Sequence, residues 1–487
     1  MSQIVNSSEW ENRWKTIDNV MQSMLDDFAK INEDEKKIWQ TTLESSIKCL
    51  KNFGEKQFKF FCEGFRDNWL VTSQKYSAEY ALRRTIDQIS FDLSVLQRAH
   101  AQRLSSTSTD QARDALDRAD RLAYKALEPA MAEYLNEETG DTIQFLQKTA
   151  IITYFQKSTA VRVVPYGPIA IIGIPFSCID SKKNPQDYLA VAHEVGHYVF
   201  WHARVNDTPL HVVLRSEMAE DPAWRFGWLE EIFADVYGCL VAGPLIARDF
   251  QDLMYDNLDL YDDDGLHPIA VLRPWIYSET LRQIGEFDIS QGALDSRWAK
   301  LLIHRVKAET FTPKNPVANE PTVTLENARS LLQETIMQIL ARLQPLLPNF
   351  KASIWSKETD AFNKEQIDKL YDTFKIKTLD RIKKEKIGNA PEAVDRQPVK
   401  AINPNNPEVG EVNLPVFRAV DGTVPEPVPD DNTIYWRVGA TKDPWLDFYR
   451  GVSDNNIKLS PAIWSTLLND TGWAVGGPEG DGNPLGG

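Results

Sequence analysis

Cysteine is scarce in this chain. There are four in 487 residues, Cys49, Cys62, Cys178 and Cys239, and no two form a CxxC pair. That excludes a disulfide framework and fits a reducing compartment. Positive charge is also in deficit, with 54 Lys plus Arg against 70 Asp plus Glu and a net charge of −16. A chain of this balance lacks the basic surface that displaces counterions from nucleic acid. It is equally unsuited to holding anionic membranes by charge alone. Long apolar runs are missing too. The nearest, Val161 to Ile179, is broken by Arg162, Pro165, Pro168 and Pro175, and reads as two short strands. The opening residues MSQIVNSSEWENRW have no basic stretch followed by an apolar run. No secretory signal or membrane span is therefore expected, and a cytoplasmic location is.

What is present is ordinary for a globular protein: 42% hydrophobic and 25% charged residues. The length allows roughly two to four domains and ample core without staples. Residues 8 to about 137 read as helices. Trp14, Ile17, Val20, Met21, Met24, Leu25 and Phe28 form one stripe at three- and four-residue spacing. Trp39, Leu43, Ile47 and Leu50 form a second, and Phe61, Phe65 and Trp69 a third. Such stripes are the core of a helical bundle. The loop from Leu104 ends at Thr109 and Asp110, either of which can cap the next helix.

The pattern changes after Lys157. The runs 160–165 and 169–174 are β-rich, separated by a Tyr-Gly-Pro turn. A helix follows from about Pro185 to His202, and another from about Gly227 to Leu240, stopped by Gly243-Pro244. Further helices are expected at 275–285, 295–310, 324–345 and about 356–385. From Pro391 onward the chain holds 12 of its 27 prolines and 11 of its 24 glycines. That stretch reads as a linker, a small module carrying Trp436, Trp445, Phe448, Tyr449, Trp464 and Trp473, and a Gly-rich tail. It could contact a partner or regulate the rest of the chain. The expected class is α+β and mostly helical, with a small β-sheet. The expected division is a helical domain at 1–150, a second domain at 151–390 and the Pro/Gly-rich region at 391–487.

The chemistry lies in His193-Glu194-Val195-Gly196-His197. On a helix, positions i and i+4 stand roughly 40° apart, so both imidazoles project from one face. Two neutral imidazoles so placed suit a divalent metal, usually zinc. Glu194 lies beside that face, where a carboxylate can take a proton from a metal-held water. A chain with seven histidines produces such a match by chance only roughly 0.01 times. Zinc needs a third protein ligand and an open fourth position. His202 is nine residues after His193, about 180° around the helix. His211 has no supporting pattern. Glu231 is the stronger candidate, because Glu231 and Asp235 are i, i+4 neighbours on a second, apolar helix. One can bind the metal while the other accepts from a ligand histidine. Glu230 is adjacent but has no acidic partner four residues on.

HExxH followed by ExxAD on a second helix resembles the gluzincin zinc metallopeptidases. The segment His267-Pro-Ile-Ala-Val-Leu-Arg273 is similar to the His-Pro-x4-Arg of the CAAX prenyl protease and HtpX-type family. The resemblance implies a zincin-like catalytic core, with His193, His197 and Glu231 as zinc ligands. It implies Glu194 as general base and Asp235 orienting a ligand histidine. His267 or Arg273 would stabilise the oxyanion, with Tyr277 a further donor. The substrate would be a protein or peptide, laid as an added strand along an edge at 169–176. The competing expectation is a non-catalytic binding or scaffold protein whose zinc site is structural or degenerate.

Overall fold

The computed structural model describes residues 7–418, apart from 33–34, 67–77, 136–141, 147, 163, 165–167, 206–207, 219–221, 286–287, 306, 315–320, 354–369, 383–386, 388–391 and 401–410. In chain order, helices α1 (Ser7–Ala29), α2 (Ile38–Arg66), α3 (Ala78–Ala101) and α4 (Asp110–Met131) come first. Strands β1 (Glu133–Leu135), β2 (Thr142–Gln144), β3 (Ala150–Gln156), β4 (Ala160–Arg162) and β5 (Ile169–Pro175) follow. Helix α5 (Ala190–His202), strands β6 (Arg204–Val205) and β7 (Thr208–Pro209), and helices α6 (Leu210–Glu217), α7 (Ala223–Gly227), α8 (Leu229–Ala242) and α9 (Pro244–Tyr255) come next. Then follow α10 (Arg273–Ile284), α11 (Asp288–Leu301), β8 (Thr310–Phe311), β9 (Val323–Thr324), α12 (Leu325–Leu343), α13 (Leu347–Ser353), α14 (Leu370–Phe374), β10 (Glu392–Lys400) and β11 (Glu411–Arg418). The protein is mostly helical with a small sheet, an α+β chain. Among the described residues no helix is long and apolar enough to cross a membrane.

The chain forms two compact units. One comprises Met1–Asp110, Gln147–Gly173 and Gly388–Gly487. Its helices bury Met21, Phe28, Leu43, Ile47, Leu50 and Leu96, which recur at helical spacing. Val20, counted in the first stripe, is instead exposed. The end of α3 docks on β3 through side chains that satisfy strand groups. Gln102 donates to the Phe155 carbonyl at 3.0 Å and accepts from the Phe155 amide at 2.7 Å. Arg103 donates to the Thr153 carbonyl at 2.7 Å. β10 and β11 pair antiparallel. The Pro425–Pro429 stretch and the six aromatic residues of the expected module lie outside the described residues.

The sheet has the order β3-β5-β4. This corrects the expectation of an edge strand at 169–176. β5 is the middle strand, and Ile169 to Ile174 are all buried. A strand apolar on both faces belongs inside a sheet, where both rims are already hydrogen-bonded.

The second unit comprises Gln111–Leu146 and Ile174–Ile387. Helix α4 buries Leu116, Leu122 and Leu127 together with its alanines. α8 stops where Gly243 takes a positive φ of 62°, and Pro244 starts α9 with the fixed φ that suits a first turn. α12 begins at Thr324, whose hydroxyl accepts from the Asn327 amide at 3.2 Å. The helix expected at 295–310 is shorter at its end. α11 stops at Leu301 and a 3-10 turn closes the chain at His304. Thr310 and Phe311 pair with Thr324 and Val323 as a strand. The β-branched and aromatic run favours pairing over another helical turn. Of the helix expected at 356–385, residues 354–369 lie outside the described ones, and Lys375–Leu379 is a π turn.

Candidate metal centre

Helices α5 and α8 pack against each other with little between their backbones. A Cβ on Gly196 would lie 2.7 Å from the Ala234 Cα, and one on Gly238 would lie 3.3 Å from the His193 Cα. The two missing side chains let the helices close to this distance. That approach brings the His193/His197 face of α5 onto the Glu231/Asp235 face of α8.

His193, His197 and Glu231 converge, each offering one ligand atom within 4.8 Å of the others. The Nε2 atoms of the two histidines are 3.0 Å apart. Glu231 Oε2 is 3.4 Å from His193 Nε2, and Glu231 Oε1 is 3.4 Å from His197 Nε2. Ligand atoms ~2.0–2.1 Å from one tetrahedral zinc stand roughly 3.3 Å from one another. Each separation is close to that edge length, with Glu231 meeting the two histidines through different oxygens; with one ligand atom from each residue the three lie within 4.8 Å of one another. Two imidazole nitrogens and a carboxylate are also the donor types such an ion takes while leaving a fourth position open. The residues fit a divalent metal.

Around this set lies a ring of charged partners. Asp235 is fully buried, with Oδ1 3.0 Å from His193 Nδ1. It accepts from Tyr277 Oη at 2.7 Å and from Arg273 Nε at 2.9 Å. Arg273 Nη2 donates to Glu231 Oε2 at 2.5 Å and lies 3.2 Å from His193 Nε2. Glu230 Oε1 accepts from Trp201 Nε1 at 2.7 Å and lies 3.0 Å from His197 Nδ1. His267 places Nε2 3.3 Å from Glu231 Oε1 and Nδ1 2.5 Å from Asp264 Oδ2.

The field of these carboxylates outweighs burial. Burial alone would lower the histidine pKa values. Asp235 and Glu231 nevertheless hold His193 above its usual value. Glu231, Glu230 and Glu194 push His197 up to about 9. Burial would raise Glu231, yet His197 and Arg273 hold its carboxyl well below the usual range. Burial would raise Asp235 too, but Arg273 and His193 lower it. Burial opposes charge on His267 too, but Asp264 and Glu231 carry it up to about 10. The pocket is anionic and favours cations, whether protons or a metal.

The structure thus brings together His193, His197, Glu231, Asp235, His267, Arg273 and Tyr277, all named from the sequence. Glu194 is buried on α5 between the two histidines in sequence. His202 and His211 are elsewhere. His202 stacks on Tyr198 with ring centres 4.2 Å apart, and His211 packs against Trp201 at 4.6 Å. Arg273 and Tyr277 are both buried, with their polar groups on Asp235. Sequence reasoning passed over Glu230, Trp201 and Asp264. Trp201 follows His197 by four residues, a signal that was available. Asp264 precedes His267 by three and also accepts from the His267 amide at 2.8 Å. No protein-family model, curated protein or solved structure matches the chain.

Proposed function

We propose that this chain is a zinc-dependent metallopeptidase of the gluzincin type, with a zincin-like core, that hydrolyses peptide bonds in a protein substrate. The observation that supports it most is the convergence of His193, His197 and Glu231 from two helices, with Glu194 beside them on the same helix. His193, His197 and Glu231 would hold the ion. Zinc, when bound, supplies Lewis-acid polarisation and lowers the pKa of a water towards about 7. Glu194 takes the proton of the attacking water and passes it to the leaving amine. His267, whose Nδ1 is anchored by Asp264, would turn its Nε2 from Glu231 to the charge developing on the carbonyl oxygen. Arg273 braces Glu231 through its Oε2, and Asp235 stands 3.0 Å from His193 Nδ1, where it would orient that ligand.

A second reading has an observation of its own. The Arg273 guanidinium reaches both Glu231 and His193. A cation already sits among the carboxylates, as in a structural ion-pair cluster without catalysis. The two readings part on measurement. Purified protein is analysed by elemental mass spectrometry and incubated with denatured protein substrates, beside Glu194→Gln. One zinc per chain with cleavage that the variant lacks supports the peptidase. Zinc without cleavage of any substrate favours a non-catalytic metal protein. No zinc after reconstitution favours the ion-pair cluster.

A further inference from the structure

Each histidine of the centre has a carboxylate at its outward nitrogen. For His193 it is Asp235, which the sequence pattern anticipates. For His197 it is Glu230, which the pattern does not. Glu230 Oε1 lies 3.0 Å from His197 Nδ1 and accepts from Trp201 Nε1 at 2.7 Å. Trp201 is 3% exposed, and its ring carries the Arg215 guanidinium 5.0 Å from its centre. The oxygen is therefore held by a rigid, buried donor rather than by a mobile surface group.

This matters because a neutral imidazole has one hydrogen for two nitrogens. A carboxylate can only accept, so Glu230 keeps that hydrogen on Nδ1 of His197. The Nε2 lone pair is then left facing His193 Nε2 and Glu231. Without the acceptor the hydrogen is free to move to Nε2, where it blocks a metal ligand. We propose that Glu230, seated on the Trp201 indole, is a positioning residue that fixes the His197 tautomer and thereby sets the affinity of the centre for a divalent metal. The proposal rests on the metal-centre reading above. A strut between α5 and α8 would equally use such a bond, so the test must read the tautomer and not stability alone.

The experiment uses the full chain, stripped with chelator, and compares wild type with Glu230→Leu, Glu230→Gln and Trp201→Phe. Circular dichroism checks that each is folded. Zinc affinity is read by competition with a chromophoric chelator. Long-range nitrogen-15 NMR follows the His197 ring nitrogens as pH is raised and reads the tautomer once the spectrum shows the neutral ring. Wild type should carry the hydrogen on Nδ1. Glu230→Leu should lose roughly 10–100-fold in zinc affinity and show mixed tautomers. Glu230→Gln keeps an acceptor oxygen and should keep the Nδ1 tautomer with a smaller loss. Trp201→Phe should fall between. A folded Glu230→Leu that binds zinc within twofold of wild type, or that keeps the wild-type tautomer, overturns the proposal. A wild type that binds no zinc overturns the metal-centre reading instead. The tautomer measurement then still decides whether Glu230 positions His197.

Discussion

The Nε2 atoms of His193 and His197 face each other at 3.0 Å, while the opposite nitrogen of each ring lies 3.0 Å from a carboxylate oxygen. Two lone pairs aimed at each other repel unless a cation lies between them or one ring is protonated. The carboxylate behind each ring favours either outcome. The first four predictions follow from this pair and its surroundings.

Zinc and protons compete for the same nitrogens. His197 is pushed up to about 9 and His193 is also raised, so in the metal-free protein the pair holds a proton between its facing nitrogens beyond the usual imidazole range. Zinc binding must displace it. Apparent zinc affinity should therefore climb with pH between about 6 and 9 and level off above that. Competition titrations at several pH values check this. An affinity independent of pH over that interval would contradict the raised values.

Removing a ligand should remove the metal, and removing the base should not. His193→Ala, His197→Ala and Glu231→Ala should each lose bound zinc. Glu194→Gln should keep it and lose hydrolysis by about 10²-fold or more, the usual share of general acid–base catalysis. Metal content and cleavage rate, measured on the same preparations, separate the two effects.

Asp235 joins His193, Arg273 and Tyr277 in full burial. Asp235→Ala leaves the Arg273 charge partly unpaired inside the protein. Breaking a buried pair in this way costs about 3–5 kcal/mol. Tyr277→Phe removes one hydrogen bond to the same carboxylate and should cost about 1.5–3 kcal/mol. Urea denaturation of the metal-free forms should rank the two variants in that order.

Gly196 stands where α5 and α8 come closest. Any Cβ there meets the Ala234 Cα at 2.7 Å. Gly196→Ala should force the helices apart, at about 1–3 kcal/mol for overpacking. It should also weaken metal binding, because His193 and His197 ride on α5 and Glu231 on α8. A variant with wild-type stability and wild-type zinc affinity would show that the contact relaxes freely.

Away from the centre, Asp249 accepts from Tyr371 Oη at 2.9 Å. Burial, with Asp252 nearby, pushes its carboxyl up to about 7. The sign follows from linkage. A carboxyl raised in the folded state costs nothing below about pH 4, where it is protonated folded or unfolded. The cost grows between about pH 4 and 7 and is constant above. Asp249→Asn should match wild type near pH 4 and exceed it in stability at pH 8, by on the order of 2–4 kcal/mol. Denaturant midpoints at the two pH values test it, and equal midpoints at pH 8 would refute it.

Much of the centre was legible because it is written at helical spacing. His193 and His197 share a face by the geometry of one turn, and the same turn places Glu231 with Asp235. The exclusion of His202 used the same arithmetic, since nine residues carry a side chain to the opposite side of the helix. The helix stops at Gly243-Pro244 were equally readable, because a positive φ and a missing N–H are local properties. Reading failed where a neighbour in space decided. Residues 169–176 looked like an edge strand and form the centre of the sheet, because strand order depends on which segments return to pair. The tract after Leu301 looked helical, but Phe311 and Thr310 found strand partners at Val323 and Thr324.

The sequence by itself determined that α5 and α8 would each present a row of ligand-type side chains, since periodicity along one helix needs no partner. Only the tertiary structure decided which rows meet and what surrounds them. It set Glu230 rather than solvent behind His197, and Arg273 against Glu231 and Asp235. It also set Asp264 behind His267. Those pairings arise because two glycines let the helices close and because charges taken from water must find partners at that distance. No spacing rule along a single segment carries that information.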